Sequence, residues 1–316
     1  MRKFCGFLAV LLVLLTACGA PGKGAANPME ETAAVLLEAV KTPTVSSIGG
    51  EWAVIGLTRW GGELPDGWMD AYYANAVRCV ESCGGVLHDK KYTEYSRVVL
   101  ALTAIGKDPT DVAGYDLTAP LADLERTVWQ GINGPVWALI AMDSGNYEFA
   151  AAPEGAVQGS REAYLSYLLE NRLPDGGWGL TPGGASDVDL TAMALQALAP
   201  YGDRADVAQA VDGALEWLSG RQGENGAYAA CEATAQVLVA LCELGIPLDD
   251  PRFVKNGATV RDGLMTFRLE EGGFRSRQGD EGMSLMSTEQ AFYAMAAAMR
   301  AEQGLNSLYD MTDVMK

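Results

Sequence analysis

Two kinds of apolar segment alternate along this chain. Segments such as Thr191-Ala-Met-Ala-Leu-Gln-Ala-Leu198, Thr234-Ala-Gln-Val-Leu-Val-Ala-Leu241 and Thr288-Glu-Gln-Ala-Phe-Tyr-Ala-Met295 are apolar almost all the way round. A helix of that kind is covered on several sides. Runs such as 161–169 and 207–218 carry charges on one face and apolar residues on the other, as a surface helix does. The pattern predicts outer helices near 29–40, 69–83, 118–130, 160–171, 206–219 and 259–268. Inner ones are predicted near 51–60, 94–106, 134–143, 189–200, 232–245 and 287–301. No period-two alternation lies between them, so no strand is expected.

The pairs repeat. Leu169-Glu-Asn-Arg-Leu-Pro-Asp-Gly-Gly-Trp178, Leu218-Ser-Gly-Arg-Gln-Gly-Glu-Asn-Gly-Ala-Tyr228 and Phe267-Arg-Leu-Glu-Glu-Gly-Gly-Phe274 each end a helical run with a Gly-rich acidic turn and then an aromatic. Each is followed by one of the inner segments above. Ser96-Arg-Val-Val-Leu-Ala-Leu102 and Gly134-Pro-Val-Trp-Ala-Leu-Ile140 supply further copies. Recurrence over some tens of residues marks stacked supersecondary units. Buried inner helices must be covered on both flanks, and no polar terminal cap is evident. An all-α, closed (α/α)6 toroid is therefore expected over 29–303, with 304–316 as a C-terminal tail.

The first residues do not belong to that fold. Arg2 and Lys3 precede an apolar run from Phe4 to Leu15, and Leu15-Thr-Ala-Cys18 is followed by Gly19. A basic start, a short apolar core and small residues before a cleavage point describe a signal peptide over 1–17. The Leu-Thr-Ala-Cys order resembles the bacterial lipobox, which makes Cys18 the expected lipid attachment site, with a Gly- and Ala-rich tether to residue 28. The expected location is the extracellular face of the bacterial membrane, reached through that lipid alone. The balance of 41 acidic against 23 basic residues, a net charge of −18, argues against nucleic acid as a partner. Cys79, Cys83, Cys231 and Cys242 are too sparse for a disulfide framework and are expected as free thiols.

Asp175-Gly-Gly-Trp178 followed by Asp187-Val-Asp-Leu-Thr-Ala-Met-Ala-Leu195 resembles the repeats of the terpenoid cyclase and protein prenyltransferase superfamily, from about residue 50 onward. That resemblance implies the (α/α)6 toroid. Class II cyclases of that superfamily use an Asp-x-Asp-Asp motif whose middle Asp is the acid. Carried over, Asp189 would be that acid and Asp187 the first member, while the third acidic position is Leu190 here. The protein prenyltransferases hold zinc through Asp, Cys and His. This chain has a single His, His88, in the loop 84–91, so no metal site is expected. The Asp-Leu-Thr-Ala-Met-Ala run also resembles the helical domain of cobalamin carriers, which implies cobalamin as a ligand only with a partner domain.

In such a ring the inner helices run parallel, so their N-termini open on one mouth. A pocket is expected there, bordered by Trp137, Trp178, Tyr228 and Phe274, with Asp187, Asp189, Glu232 and Glu289 near the helix starts. Competing readings are plainer: an Asp at a helix start is a favoured cap, Ser287 with Gln290 fits a capping box, and aromatics after Gly-Gly can wedge repeats together. The leading functional reading is a binding or interaction module for a small molecule, a glycan or a protein segment. The alternative is an enzyme of the cyclase or glycosidase type using Asp187 and Asp189.

Overall fold

The computed structural model describes residues 27–314. The signal segment, Cys18 and the tether up to residue 26 lie outside the described residues. Twelve α-helices follow one another among the described residues: α1 (Pro28–Ala39), α2 (Glu51–Trp60), α3 (Trp68–Ser82), α4 (Thr93–Ala104), α5 (Leu124–Thr127), α6 (Asn133–Ser144), α7 (Arg161–Glu170), α8 (Val188–Leu198), α9 (Ala205–Ser219), α10 (Cys231–Glu243), α11 (Val260–Met265) and α12 (Leu285–Glu302). No strand is present among them, only isolated bridges.

Even-numbered helices form the inner layer and odd-numbered ones the outer. Burial follows the sequence pattern. In α4 every residue from Tyr95 to Ala104 is buried. In α3 only Trp68, Tyr72, Ala76 and Val80 are, one stripe at a spacing of four. Each inner helix packs on the next, and α12 packs on α2. The layer is thus a closed ring and not an open solenoid. Outside, the hydroxyl of Thr32 on α1 donates to the Gly272 carbonyl at 2.7 Å, and Glu31 pairs with Arg268. First and last repeats are joined in both layers.

The repeated turn has one construction. Leu173 donates to Gly177, Gly223 to Ala227 and Leu269 to Gly273, all backbone to backbone, at 2.9, 2.8 and 2.8 Å. Gly176, Gly226 and Gly272 take positive φ there, a region that a Cβ disfavours. At Gly226 a Cβ would also stand 2.1 Å from the carbonyl oxygen of Thr259 in the next repeat. The turn then delivers Trp178, Tyr228 or Phe274 between the layers. The backbone N–H of each donates to a threonine on the following inner helix: to Thr191 at 2.9 Å, Thr234 at 3.0 Å and Thr288 at 2.9 Å.

Three expectations change. The outer helix near 118–130 is broken into 3-10 turns on either side of the four-residue α5. Pro120 removes one donor, and Asp123 starts a new helix by accepting from Arg126 N–H at 3.1 Å. α12 begins a few residues earlier than its apolar run: Ser284, and not Ser287, is the cap, accepting from the Ser287 N–H at 3.2 Å. Within 304–316, expected as a C-terminal tail, the described residues up to 314 pack against the ring. Leu308, Tyr309 and Met311 are buried, and Arg59 and Arg300 hold the segment across the end of the ring through the Ser307, Leu308 and Asp310 carbonyls, the Asn306 carbonyl and the Asp313 carboxylate.

Candidate functional site

The N-terminal turns of all six inner helices converge on a dish of about 210 Å³, walled by Trp52, Thr93, Arg97, Asn133, Trp137, Met193, Gln236, Gln290 and Tyr293. Its floor is a column of rings. Trp52 lies 4.9 Å from Trp137 and 5.8 Å from Tyr293, centre to centre, and Trp137 meets Tyr309 of the C-terminal segment edge-on at 6.0 Å. The ring axis is therefore filled with side chains from the mouth to the tail. The polar wall is tied together: Gln236 Nε2 donates to the Tyr293 hydroxyl at 2.6 Å and to Gln290 Oε1 at 3.2 Å, and Gln196 Nε2 donates to Gln236 Oε1 at 2.9 Å.

Carboxylates gather round the dish, where helix N-termini favour negative charge. Glu51, wholly buried, accepts from Arg97 Nε at 2.7 Å and from the Tyr72 hydroxyl at 3.1 Å. Burial pushes its carboxyl up, and the Arg97 charge pulls it back. Glu289 is also buried. One oxygen accepts from the Gly49 N–H at 2.8 Å, and the other has no partner among the described residues. Burial, with the nearby Glu51 charge adding and the Gly49 bond opposing, pushes Glu289 up to about 7. Glu232 accepts from the hydroxyls of Ser276 and Ser287. Asp189 accepts no hydrogen bond among the described residues. Burial, reinforced by Asp187 and Glu232, pushes it up to about 6.

The expected site residues thus separate. Trp137 lines the dish, whereas Asp189, in the first turn of α8, is not part of its wall. Glu232 and Glu289 stand behind the wall in hydrogen bonds. Asp187 is the N-cap of α8, accepting from the Leu190 N–H at 3.1 Å, and is exposed. Trp178, Tyr228 and Phe274 do not border the mouth. The Trp178 indole N–H donates to the Leu168 carbonyl at 2.8 Å, the Tyr228 hydroxyl to Leu218 at 3.0 Å, and Phe274 is fully buried. They are wedges between repeats, because ring and backbone are both fixed by neighbouring helices. His88 accepts from the Lys90 and Lys91 N–H groups in its loop. The four cysteines in the described residues are free, and burial pushes the Cys242 thiol up to about 12. Among the described residues no His, Cys, Asp and Glu group of three or more is arranged to hold a metal.

Gln236, Gln290, Arg97 and Trp52 did not emerge from the sequence as site residues. A signal was present: an isolated Gln in a helix that is otherwise apolar all round must find a buried partner. Gln196 and Gln236 are two such cases.

Comparison with solved structures now bears on the ring. A type II terpene cyclase from Scytonema superposes with a TM-score of 0.54 at 13% identity, over 87% of this chain and 96% of the cyclase. A protein geranylgeranyltransferase-I from Candida albicans, complexed with GGPP, gives 0.57 at 11% identity, over 87% and 92%. The fold is the toroid of the terpenoid cyclases and prenyltransferases. At such identities the likeness reaches the toroid and not its chemistry. No family model and no curated protein matches the sequence. Set on the toroid, the dish opens at the N-terminal ends of the inner helices, and the C-terminal segment closes the other end.

Proposed function

We propose that this toroid is a binding module displayed from the bacterial surface by lipid on Cys18, and that its dish recognises part of a larger molecule, a glycan end or a protein segment. The filled axis carries the reading. Small-molecule sites commonly enclose about 300–1,000 Å³, whereas the dish offers about 210 Å³ above a floor of Trp52, Trp137 and Tyr293. A long isoprenoid has no room to coil in it, but a protruding group has polar partners on all sides in Arg97, Asn133, Gln236 and Gln290. The second reading, acid catalysis of the cyclase or glycosidase type, is favoured by Asp189, whose carboxyl keeps its proton up to about pH 6 as an acid catalyst must.

One set of measurements separates the two. The protein is incubated with geranylgeranyl diphosphate, squalene and a β-linked oligosaccharide, and products are sought by mass spectrometry. Binding alone predicts no turnover, and it predicts that the double variant Asp187→Asn, Asp189→Asn loses only the cap of α8, about 0.5–2 kcal/mol. Turnover that vanishes in Asp189→Asn establishes the second reading instead. A photo-crosslinking residue at Met193 should yield a discrete adduct on intact cells that the same group at exposed Trp129 does not. Cys18→Ala should release the protein from the membrane fraction, and retention there would rule out the lipid anchor.

A further inference from the structure

Each of the six inner helices gives the dish a wall residue: Trp52, Arg97, Trp137, Met193, Gln236 and Tyr293. The wall is closed all round and the axis below it is filled, so a ligand has one way in and none through. We propose that the dish takes the uncharged terminal sugar of a glycan, an inference that rests on the binding reading above.

Unpaired groups in the wall set the first condition on the ligand. The indole N–H groups of Trp52 and Trp137, the Gln290 Nε2 amide and the whole Asn133 carboxamide make no hydrogen bond among the described residues. None of these atoms is sealed from solvent. Donors outnumber acceptors among them, the Asn133 Oδ1 being the one acceptor. The ligand is accordingly rich in acceptors. The hydroxyl and ring-ether oxygens of a sugar fit such a wall, and the C–H face of its ring covers apolar surface on Trp52 and Met193, both only half-buried.

Charge sets the second condition. Arg97 is the one charged residue of the wall, and Glu51 and Glu94 both hold it, at 2.7 and 2.5 Å. An ammonium group therefore finds no carboxylate in the wall, and an anion finds no free cation. The positive helix ends offer an anion nothing more, because α2, α4, α8 and α10 each carry a carboxylate in the first turn: Glu51, Glu94, Asp189 and Glu232. A charged head of either sign would lose its hydration with nothing to replace it. The same condition weighs against a peptide. A chain end brings an α-amino or carboxylate charge, and a chain interior needs a second way out that the closed wall does not give.

The test is calorimetric titration of the protein with the methyl glycosides of glucose, galactose, mannose and N-acetylglucosamine, and with the uronate and 2-amino counterparts of whichever binds. Saturable one-to-one binding of at least one neutral glycoside is expected, with both charged counterparts at least tenfold weaker. Asn133→Ala removes a carboxamide that bonds to nothing in the protein. It should leave the melting temperature unchanged while weakening the glycoside about tenfold. Gln303→Ala, which removes an exposed carboxamide at the far end of α12, should change neither. The inference is overturned by the absence of saturable binding across the panel, by equal binding of a charged counterpart, or by unchanged affinity in Asn133→Ala. The Met193 crosslink then tells whether the binding reading falls with it. If no glycoside binds, a discrete protein adduct on cells puts a protein segment in place of the sugar, and no adduct removes both readings.

Discussion

Thr191, Thr234 and Thr288 occupy the same place in successive repeats, and each hydroxyl holds the backbone of an aromatic wedge. Thr234 also donates to the Ala230 carbonyl at 2.8 Å, so the same oxygen ties the first turn of α10 to the loop before it. Thr234→Val preserves shape but leaves the buried Tyr228 N–H without an acceptor. Urea unfolding should show a loss of about 1–3 kcal/mol, with the wedge still in place. The sequence made the repeat legible at this scale, since the Gly-Gly-aromatic and Thr-Ala signatures recur at matching offsets. It did not reveal which way Trp178, Tyr228 and Phe274 point. A ring at a mouth and a ring between helices have the same composition around them, and what distinguishes them is the contact with helix ends ten residues earlier.

Among elements, the inner helices were read almost to the residue because burial on every side leaves an unbroken apolar signal. The outer layer was read where one apolar stripe persists, as in α3 and α9, and lost where it breaks, at α5. The C-terminal segment escaped notice for a related reason. Leu308, Tyr309 and Met311 are too few and too close for a periodic pattern, and Arg59, the buried arginine that holds three of the segment's carbonyls, sits in α2, far away in sequence. Arg59 is 2% exposed and bonds to the Leu308, Ser307 and Asp310 carbonyls as well as to Asp313. Arg59→Ala should free the segment. Limited proteolysis should then cut between residues 304 and 314 at protease levels that leave the wild type intact, while circular dichroism of the helices stays unchanged. If the segment remains protected, the clamp is not what holds it.

For the whole molecule, acidity and burial combine. Asp189 is raised to about 6 and Glu243 and Glu289 to about 7, each chiefly by burial, above the values near 4 that unfolded carboxyls have. The folded chain therefore holds more protons than the unfolded one between about pH 4 and pH 7. Their contribution to stability is complete below that window and lost as pH rises through it. Self-repulsion at a charge of −18 acts in the same direction. Melting temperature should rise as pH falls from 8 to 5, and Glu289→Gln should flatten the profile. A melting temperature that climbs with pH over this range would contradict these assignments.

The contact of α12 with α2 sets the terms on which this chain is made. Until residues 285–302 arrive, the flank of α2 that they cover stays bare, and every repeat in between hangs on an unfinished arc. A message cut short anywhere before that point yields no smaller working version, only a sticky fragment for quality-control proteases to remove.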